Sequence, residues 1–415
     1  RPTAPESPGS HPAAGPALPG IPDDPGVPVL SLGLRPGAVD LLAGPPGAEG
    51  DLTSHATPGA VARLTFTSGS TGMPKACAQT YRAFTLAYRQ DHWPPPLKTL
   101  MTAFDRCLIH QSLASPVMMT YLGRCLVAGG TVVLPAEDDP QPLLPHALAR
   151  HAVTAVMMPP PALHRMLATL RTHPADLTAL RALLLGGSPA GPALLTEAMR
   201  TLGPIIWQGY GQAEAGVISM LTPHDLTTEK DALTSVGHPL PAVDLSIRRD
   251  GTELPHGETG EIWVRTPQMM TTYWNDPTHT TEVLKDGWLH TRDLGRLGPT
   301  GLLHLTGRSR DVIMVNAEVC HAGAVELVLT SHPSVNEAYV VGTPDNESGE
   351  AFHAFVTPTP GHTIDRPSLL TLIRASLSTG HLPRSITVLS QIPLTDAGKP
   401  DKQAMTRLID PPGHT

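Results

Sequence analysis

The chain has 415 residues, 40% of them apolar and 16% charged, with a formal net charge of −8. That length allows two or three domains, each with its own core. The negative charge argues against broad electrostatic binding to nucleic acid or to an anionic membrane, though a small phosphate site needs only a few local donors.

No apolar run approaches the roughly 20 residues that span a bilayer, and no secretory signal pattern opens the chain. Cys77, Cys107, Cys125 and Cys320 form no CxxC pair, which predicts reduced thiols in a cytoplasmic protein. The chain begins at Arg1 and not at Met, as a fragment would.

Residues 1–58 are rich in proline and glycine, as in HPAAGPALPGIPDDPGVP. Such a stretch disfavours helix and has little apolar surface to bury, so it is predicted to be mostly irregular, with one short strand at 27–32. Order is expected from near Ala60. VARLTFTSGSTG reads as a strand running into a Gly/Ser/Thr loop, and TYRAFTLAYRQ as a helix. GTVVLP reads as a compact buried strand, PLLPHALARH as a helix, and VTAVMMPP as a strand ended by prolines. PALHRMLATLR predicts a helix, LRALLLGG a strand, PALLTEAMRTL a helix and PIIWQGYG a final strand. This alternation predicts a mainly parallel α/β layer, with ligands at the carboxyl ends of its strands. Three glycine-rich turns, TSGSTG, GGSP and GYGQAEAG, each follow a strand and are expected to converge on one ligand.

From about Ser235 the pattern changes. DLSIRRDGTELPHGETGEIWVRT alternates apolar and polar residues between turn signals, which predicts antiparallel β structure. GRSRDVIMV opens a last segment of short strands and helices. The expected organisation is an irregular segment over 1–58, a large layered α/β domain over 59–308 with a β-rich subdomain at about 235–308, and a small α+β domain over 309–415.

TSGSTGMPK, residues 67–75, carries the first chemical signal. Small residues let the backbone approach a ligand, and glycine permits turns that aim several N–H groups inward. Thr67, Ser68, Ser70 and Thr71 add hydroxyls, Gly69 and Gly72 add freedom, and Lys75 adds a point charge suited to phosphate. The spacing is not that of a Walker loop.

At this point the chain resembles the adenylate-forming superfamily, which includes acyl-CoA synthetases, peptide-synthetase adenylation domains and beetle luciferases. The family loop reads [YF]-T-S-G-[ST]-T-G-x-P-K-G; residues 66–75 match it, with Ala76 in place of the last glycine. The resemblance implies that this loop holds the pyrophosphate portion of ATP. Further matches follow in family order. LLLGGSP resembles the strand and turn that pack on adenine, at Gly186, Gly187 and Ser188. GYGQAEAG resembles Y-G-x-T-E, with Tyr210, Gly211, Gln212 and Ala213 at the nucleotide. There the resemblance assigns Tyr210 to adenine stacking and Glu214 to Mg²⁺, an ion that takes few protein oxygens beside phosphate. WLHTRDLG resembles the stretch whose acid, here Asp293, accepts hydrogen bonds from ribose. GRSRDVI resembles the hinge sequence, with Arg308 contacting nucleotide and Arg310 as the pivot. IPLTDAGKPDKQAM resembles the C-terminal motif whose lysine, here Lys399, stabilises charge as a carboxylate attacks the α-phosphate.

The resemblance implies an acid–thiol ligase with ATP, Mg²⁺ and the thiol of CoA or of a carrier protein's phosphopantetheine. Its substrate pocket is expected near His110. Phe104–Asp105 lies too far before AGGTVVL to match an amino-acid-activating motif. No aspartate is placed to hold an α-amino group, so an aryl or fatty acid is favoured over an amino acid. LGGS at 185–188 looks like a carrier attachment site but sits inside the α/β pattern, so that reading is rejected.

Several positions depart from the family. Ala213 stands where the family has threonine, removing a hydroxyl expected at the α-phosphate. Arg292 replaces the glycine before Asp293 and is expected either to pair with that acid or to crowd the ribose. Asn316 and Ala317 replace a glycine pair, and Ala317 narrows the expected thiol tunnel. Thr272 replaces the glycine before Tyr273. The family also carries an α/β subdomain before the phosphate loop, where this chain has only a Pro/Gly-rich segment. These departures keep a second class open: a catalytically degenerate adenylation fold that binds nucleotide or a partner as a scaffold.

Overall fold

The computed structural model describes residues 57–67, 75–110, 115–134, 144–309, 312–315, 318–345, 349–377, 379–395 and 400–409, together with the short strands Leu30–Ser31 and Val39–Asp40. The chain divides into two compact units, Arg1–Ala56 and Thr57–Thr415. In the first, Leu30–Ser31 pairs in parallel with Val39–Asp40. Part of the expected 27–32 strand is therefore present; its remaining residues lie outside the described ones.

The second unit is built on a seven-stranded sheet. Its order is His238–Pro239, Gly216–Leu221, Ile206–Gln212, Ala182–Leu185, Ala155–Met158, Arg106–Leu108, Thr131–Val133. The five strands from Ile206–Gln212 to Thr131–Val133 are parallel. Ala155–Met158 and Ala182–Leu185 are buried at every position, as continuous apolar runs at the centre of a parallel sheet are. Side chains alternate between faces. Val156, Met158, Leu183 and Leu185 meet Leu163, Met166, Leu194 and Leu195 on one side. Ala155, Met157, Ala182 and Leu184 meet Phe104, Met118 and Tyr121 on the other. Helices Pro116–Val127, Pro160–Thr172 and Pro192–Leu202 each begin on proline, which fits the first helical turn because its missing N–H would have had no partner there.

Three expectations need correction. Thr131–Val133, read as a buried strand, is the sheet's edge: Thr131 is exposed and the two valines are half-buried. Its neighbour, the three-residue strand Arg106–Leu108, is too short to show a periodic signal. Ile206–Gln212 is not the last strand, because it turns back antiparallel into Gly216–Leu221. Gly216 takes φ +75°, and a Cβ on Gly211 would lie 2.3 Å from the Gly216 carbonyl oxygen, so the hairpin needs both glycines. Thirdly, TSGSTG does not follow a strand of this layer. Val61–Thr67 and Lys75–Thr80 form an antiparallel hairpin in a separate three-stranded sheet, with Thr272–Tyr273 as third strand. On its edge strand Leu64 and Phe66 are exposed, Phe66 by 68%.

The antiparallel texture after Ser235 corresponds to a six-stranded sheet centred on Gly260–Arg265 and Trp288–Leu297, with Leu303–Arg308 paired to the latter. A five-stranded sheet follows, containing Val312–Val315, Glu318–His321, Val335–Asp345, Gly349–Pro358 and Ser385–Val388. Helices Ala322–Thr330 and Arg366–Ser376 cover one of its faces. Met405 of helix Lys402–Arg407 packs on the other, against Val341, Phe355 and Ile392. The architecture is thus a large layered α/β region with a β-rich part, plus a small α+β C-terminal region.

These regions touch through the start of Ala322–Thr330 and through Val335–Asp345. Gly323 approaches Gly307 so closely that a Cβ on Gly323 would lie 2.6 Å from the Gly307 Cα. Ser188, in the turn after Ala182–Leu185, meets the Tyr339 hydroxyl.

Candidate active site

Trp288–Leu297 alternates buried and half-buried positions, which turns Asp293 inward at 4% exposure. A buried carboxylate requires partners, and Asp293 has three. The Tyr210 hydroxyl and the Gln212 amide each donate to its Oδ2 at 2.6 Å, and Arg308 Nε donates to Oδ1 at 2.9 Å. Arg308 is the register partner of Asp293 across the antiparallel pair, so sheet pairing itself delivers the cation. Gln212 also donates to the Thr291 carbonyl at 3.0 Å. Burial, then the Asp293 charge, pushes the Tyr210 phenol well above its usual pKa, so it remains a donor. Tyr210 and Gln212 are two residues apart on one strand and point to the same face. The strand end, the antiparallel sheet and Arg308 thus meet at one carboxylate.

Arg292 does not join this group. It takes φ +63°, its carbonyl accepts from Ser309 N at 2.8 Å, and its guanidinium donates to Glu282 at 2.7 Å. The expected pairing with Asp293 is therefore replaced by a pairing with Glu282. The left-handed backbone also explains why glycine suits this position in the family, since a side chain there is strained by roughly 1–2 kcal/mol.

Glu214 sits in the turn 213–215, between Ile206–Gln212 and Gly216–Leu221. Its carboxylate accepts from the Tyr273 hydroxyl at 2.9 Å, and the buried Cys77 thiol faces the same group. Burial, then the Glu214 charge, raises both the thiol and the phenol, so both remain protonated. The Lys75 ammonium lies 5.3 Å from the centre of the Tyr273 ring, which places the end of the TSGSTGMPK hairpin beside Glu214. A half-buried carboxylate oxygen met by neutral donors, with no cationic side chain among the described residues bonded to it, is the kind of ligand a hard divalent cation takes.

Gly186 is buried, and a Cβ there would lie 2.8 Å from Met157 Cε; Gly187 takes φ +92°. His110 follows Arg106–Leu108, and its Nε2 bonds to the Met157 carbonyl at 2.9 Å. Burial lowers its pKa, so the ring is neutral. Gly186 and His110 therefore both adjoin Met157, near the carboxyl end of the parallel strands. Ala213 is half-buried and packs on the cluster that holds Tyr210 and Tyr273. Thr67 marks the near end of the phosphate hairpin, its Oγ1 3.4 Å from the Lys75 carbonyl. Ser68, Gly69, Ser70, Thr71, Gly72, Arg310, Asn316, Ala317 and Lys399 lie outside the described residues.

Sequence reasoning missed Tyr273 and Cys77. They lie far from Glu214 in the chain, Tyr273 by 59 positions, and both read as core residues. All four cysteines are buried and none is in a disulfide. No helix among the described residues is long and apolar enough to cross a membrane.

The site thus combines a charge-paired acid with a second acid that is met by neutral donors beside the strand beginning at Lys75. Residues 24–274 match the AMP-binding enzyme family, and residues 324–399 match the AMP-binding enzyme C-terminal domain. The chain belongs to the AMP-binding enzyme family. It is 32% identical to a medium/long-chain-fatty-acid–CoA ligase of Mycobacterium tuberculosis, over 84% of this chain and 61% of that protein. It therefore spans less than two thirds of that relative's length. The amide bond synthetase McbA from Marinactinospora thermotolerans superposes with a TM-score of 0.76 at 36% identity, over 91% of this chain and 74% of that one. The o-succinylbenzoate coenzyme A synthetase of Bacillus subtilis, in complex with ATP and magnesium ion, superposes with a TM-score of 0.67 at 31% identity, over 83% and 69%.

Proposed function

We propose that this chain carries the activating chemistry of an acid–thiol ligase. A carboxylic acid, aryl or fatty, reacts with ATP to give an acyl-adenylate and pyrophosphate, and the acyl group then passes to the thiol of CoA or of a carrier protein. The observation that carries this reading is the meeting of Tyr210, Gln212, Asp293 and Arg308 from separate strands around one buried carboxylate. The fatty-acid and o-succinylbenzoate ligases among the similar proteins support the substrate classes.

In this reading Asp293 accepts hydrogen bonds from the ribose hydroxyls, and Tyr210 lies against adenine with Gly186, Gly187 and Ser188. Residues 67–75 surround the departing pyrophosphate. Arg308 contacts nucleotide, and His110 borders the acid's pocket. Glu214 is the residue that would hold Mg²⁺, which when bound neutralises phosphate charge. Lys399 stabilises the anionic charge that builds as the carboxylate oxygen attacks phosphorus. The C-terminal region then turns about Arg310, and the acyl group reaches its acceptor past Ala317.

A second acceptor reading is favoured by the 36% identity to an amide bond synthetase: an amine in place of the thiol. Acid-dependent ATP–pyrophosphate exchange over aryl, fatty and amino acids tests the first step, with Lys399→Ala as control. Exchange with one acid class, lost in the variant, supports the proposal. Absence of exchange despite ATP binding overturns it in favour of a scaffold. Presenting CoA, pantetheine and amines to the exchanging enzyme separates the two acceptors.

A further inference from the structure

We infer that Tyr273 is a positioning residue that fixes the Glu214 carboxylate for a divalent cation and ties it to the phosphate hairpin. The inference rests on the proposed role of Glu214 as the metal-binding acid.

Glu214 stands on a short turn, where a side chain has little framework of its own. The segment from Thr266 to Tyr273 supplies one. Thr266 Oγ1 donates to the Ala215 carbonyl at 2.6 Å, and Met270 N donates to the Glu214 carbonyl at 2.8 Å. These bonds fix the turn's backbone. The Tyr273 hydroxyl, at 2.9 Å from Oε1, then fixes the carboxylate.

Tyr273 is itself held on several sides. It is 5% exposed and packs with Cys77, Met270 and Val283. Its strand pairs with Lys75–Thr80, with Tyr273 opposite Cys77. Its N–H donates to Thr280 Oγ1 at 3.0 Å, and Trp274 N donates to the Ala76 carbonyl at 2.7 Å. The strand that carries the hydroxyl is thus paired to the strand that begins at Lys75, beside the expected phosphates. Any shift of the hairpin moves the hydroxyl and, with it, the carboxylate.

The chemistry of the donor matters as much as its position. A lysine or arginine at this point would neutralise Glu214 and compete with a cation. A phenol orients one oxygen and leaves the negative charge in place, as outer hydrogen-bond partners of metal-binding carboxylates do.

The test is calorimetric binding of a non-hydrolysable ATP analogue to the full chain, titrated with Mg²⁺. Tyr273→Phe is expected to raise the apparent Kd for Mg²⁺ roughly tenfold or more, with metal-free nucleotide affinity and melting temperature close to those of the unaltered chain. Glu214→Gln, run in parallel, should abolish the Mg²⁺ dependence. If it does so while Tyr273→Phe binds Mg²⁺ normally, the positioning role is overturned and the Glu214 reading stands. If Glu214→Gln retains the full dependence, both are overturned. Should Tyr273→Phe fail to fold, fluorotyrosine at position 273 keeps the ring and alters the donor. A changed Mg²⁺ Kd then supports the role, and an unchanged one overturns it.

Discussion

Asp293 and Glu214, the two acids of the candidate site, are surrounded differently. Asp293 lies inside an antiparallel sheet, almost fully buried, with Arg308 and two further donors on its oxygens. Glu214 lies on a half-buried turn and meets a phenol and a thiol. The first acid is paired with a cation of the protein, which suits its proposed role as a fixed acceptor for neutral hydroxyls. The second, on the proposed reading, faces a cation. The proposed division of tasks between the two carboxylates thus follows the charge of their neighbours.

The largest expected effect breaks the first arrangement. Asp293→Ala leaves the Tyr210 hydroxyl and the Gln212 amide without their shared acceptor, so stability in urea unfolding should fall by about 2–4 kcal/mol. An unchanged midpoint would show that the network carries no structural weight. Glu214→Gln should behave oppositely. Its fold should hold, while, on its proposed metal-binding role, Mg²⁺-supported pyrophosphate exchange should drop on the order of a hundredfold. A large fall in melting temperature instead would erase the contrast between the two acids.

A third acid sharpens the comparison. Glu337 is buried in the strand Val335–Asp345, with Thr357 as a hydrogen-bond partner and Arg165 acting from across the contact with the large region. Burial pushes it up from 4.5 to about 7. The folded state therefore holds an extra proton between those values. The stabilisation is complete below about pH 4.5 and is lost as pH rises through about 7. Glu337→Gln should flatten this dependence, raising stability at pH 8 by about 1–2 kcal/mol relative to the unaltered chain. An unchanged pH profile in thermal unfolding would count against it. The smallest effect belongs to Arg292→Gly. It relieves the left-handed strain but loses the pairing with Glu282, for a net gain of about 0.5 kcal/mol.

The sequence announced the parallel layer because Ala155–Met158 and Ala182–Leu185 are uninterrupted apolar runs. It announced Asp293, Tyr210 and Arg308 because each lies in a recognisable string, and sheet pairing then joined them. It could not announce the Glu214–Tyr273 bond. That contact depends on the hairpin and on Thr272–Tyr273 pairing across a long stretch of chain, and a buried tyrosine reads as core. Nor did it show Arg292 turning away from Asp293, because the direction follows from a positive φ that a non-glycine residue seldom takes. The misplaced TSGSTG loop has the same origin: a strand before a turn looks alike whether it continues into a helix or folds back on itself.

Gly307 and Gly323 meet where helix Ala322–Thr330 begins, and neither carries a side chain. In mechanical terms this is a plain bearing. Interdigitated side chains resist sliding because every rotamer must clear its neighbour, whereas two bare backbones present a low, smooth profile and few atoms to part. On the proposed pivot at Arg310, a turning C-terminal region would slide on this bare contact, and a methyl group placed on Gly323 would act as grit.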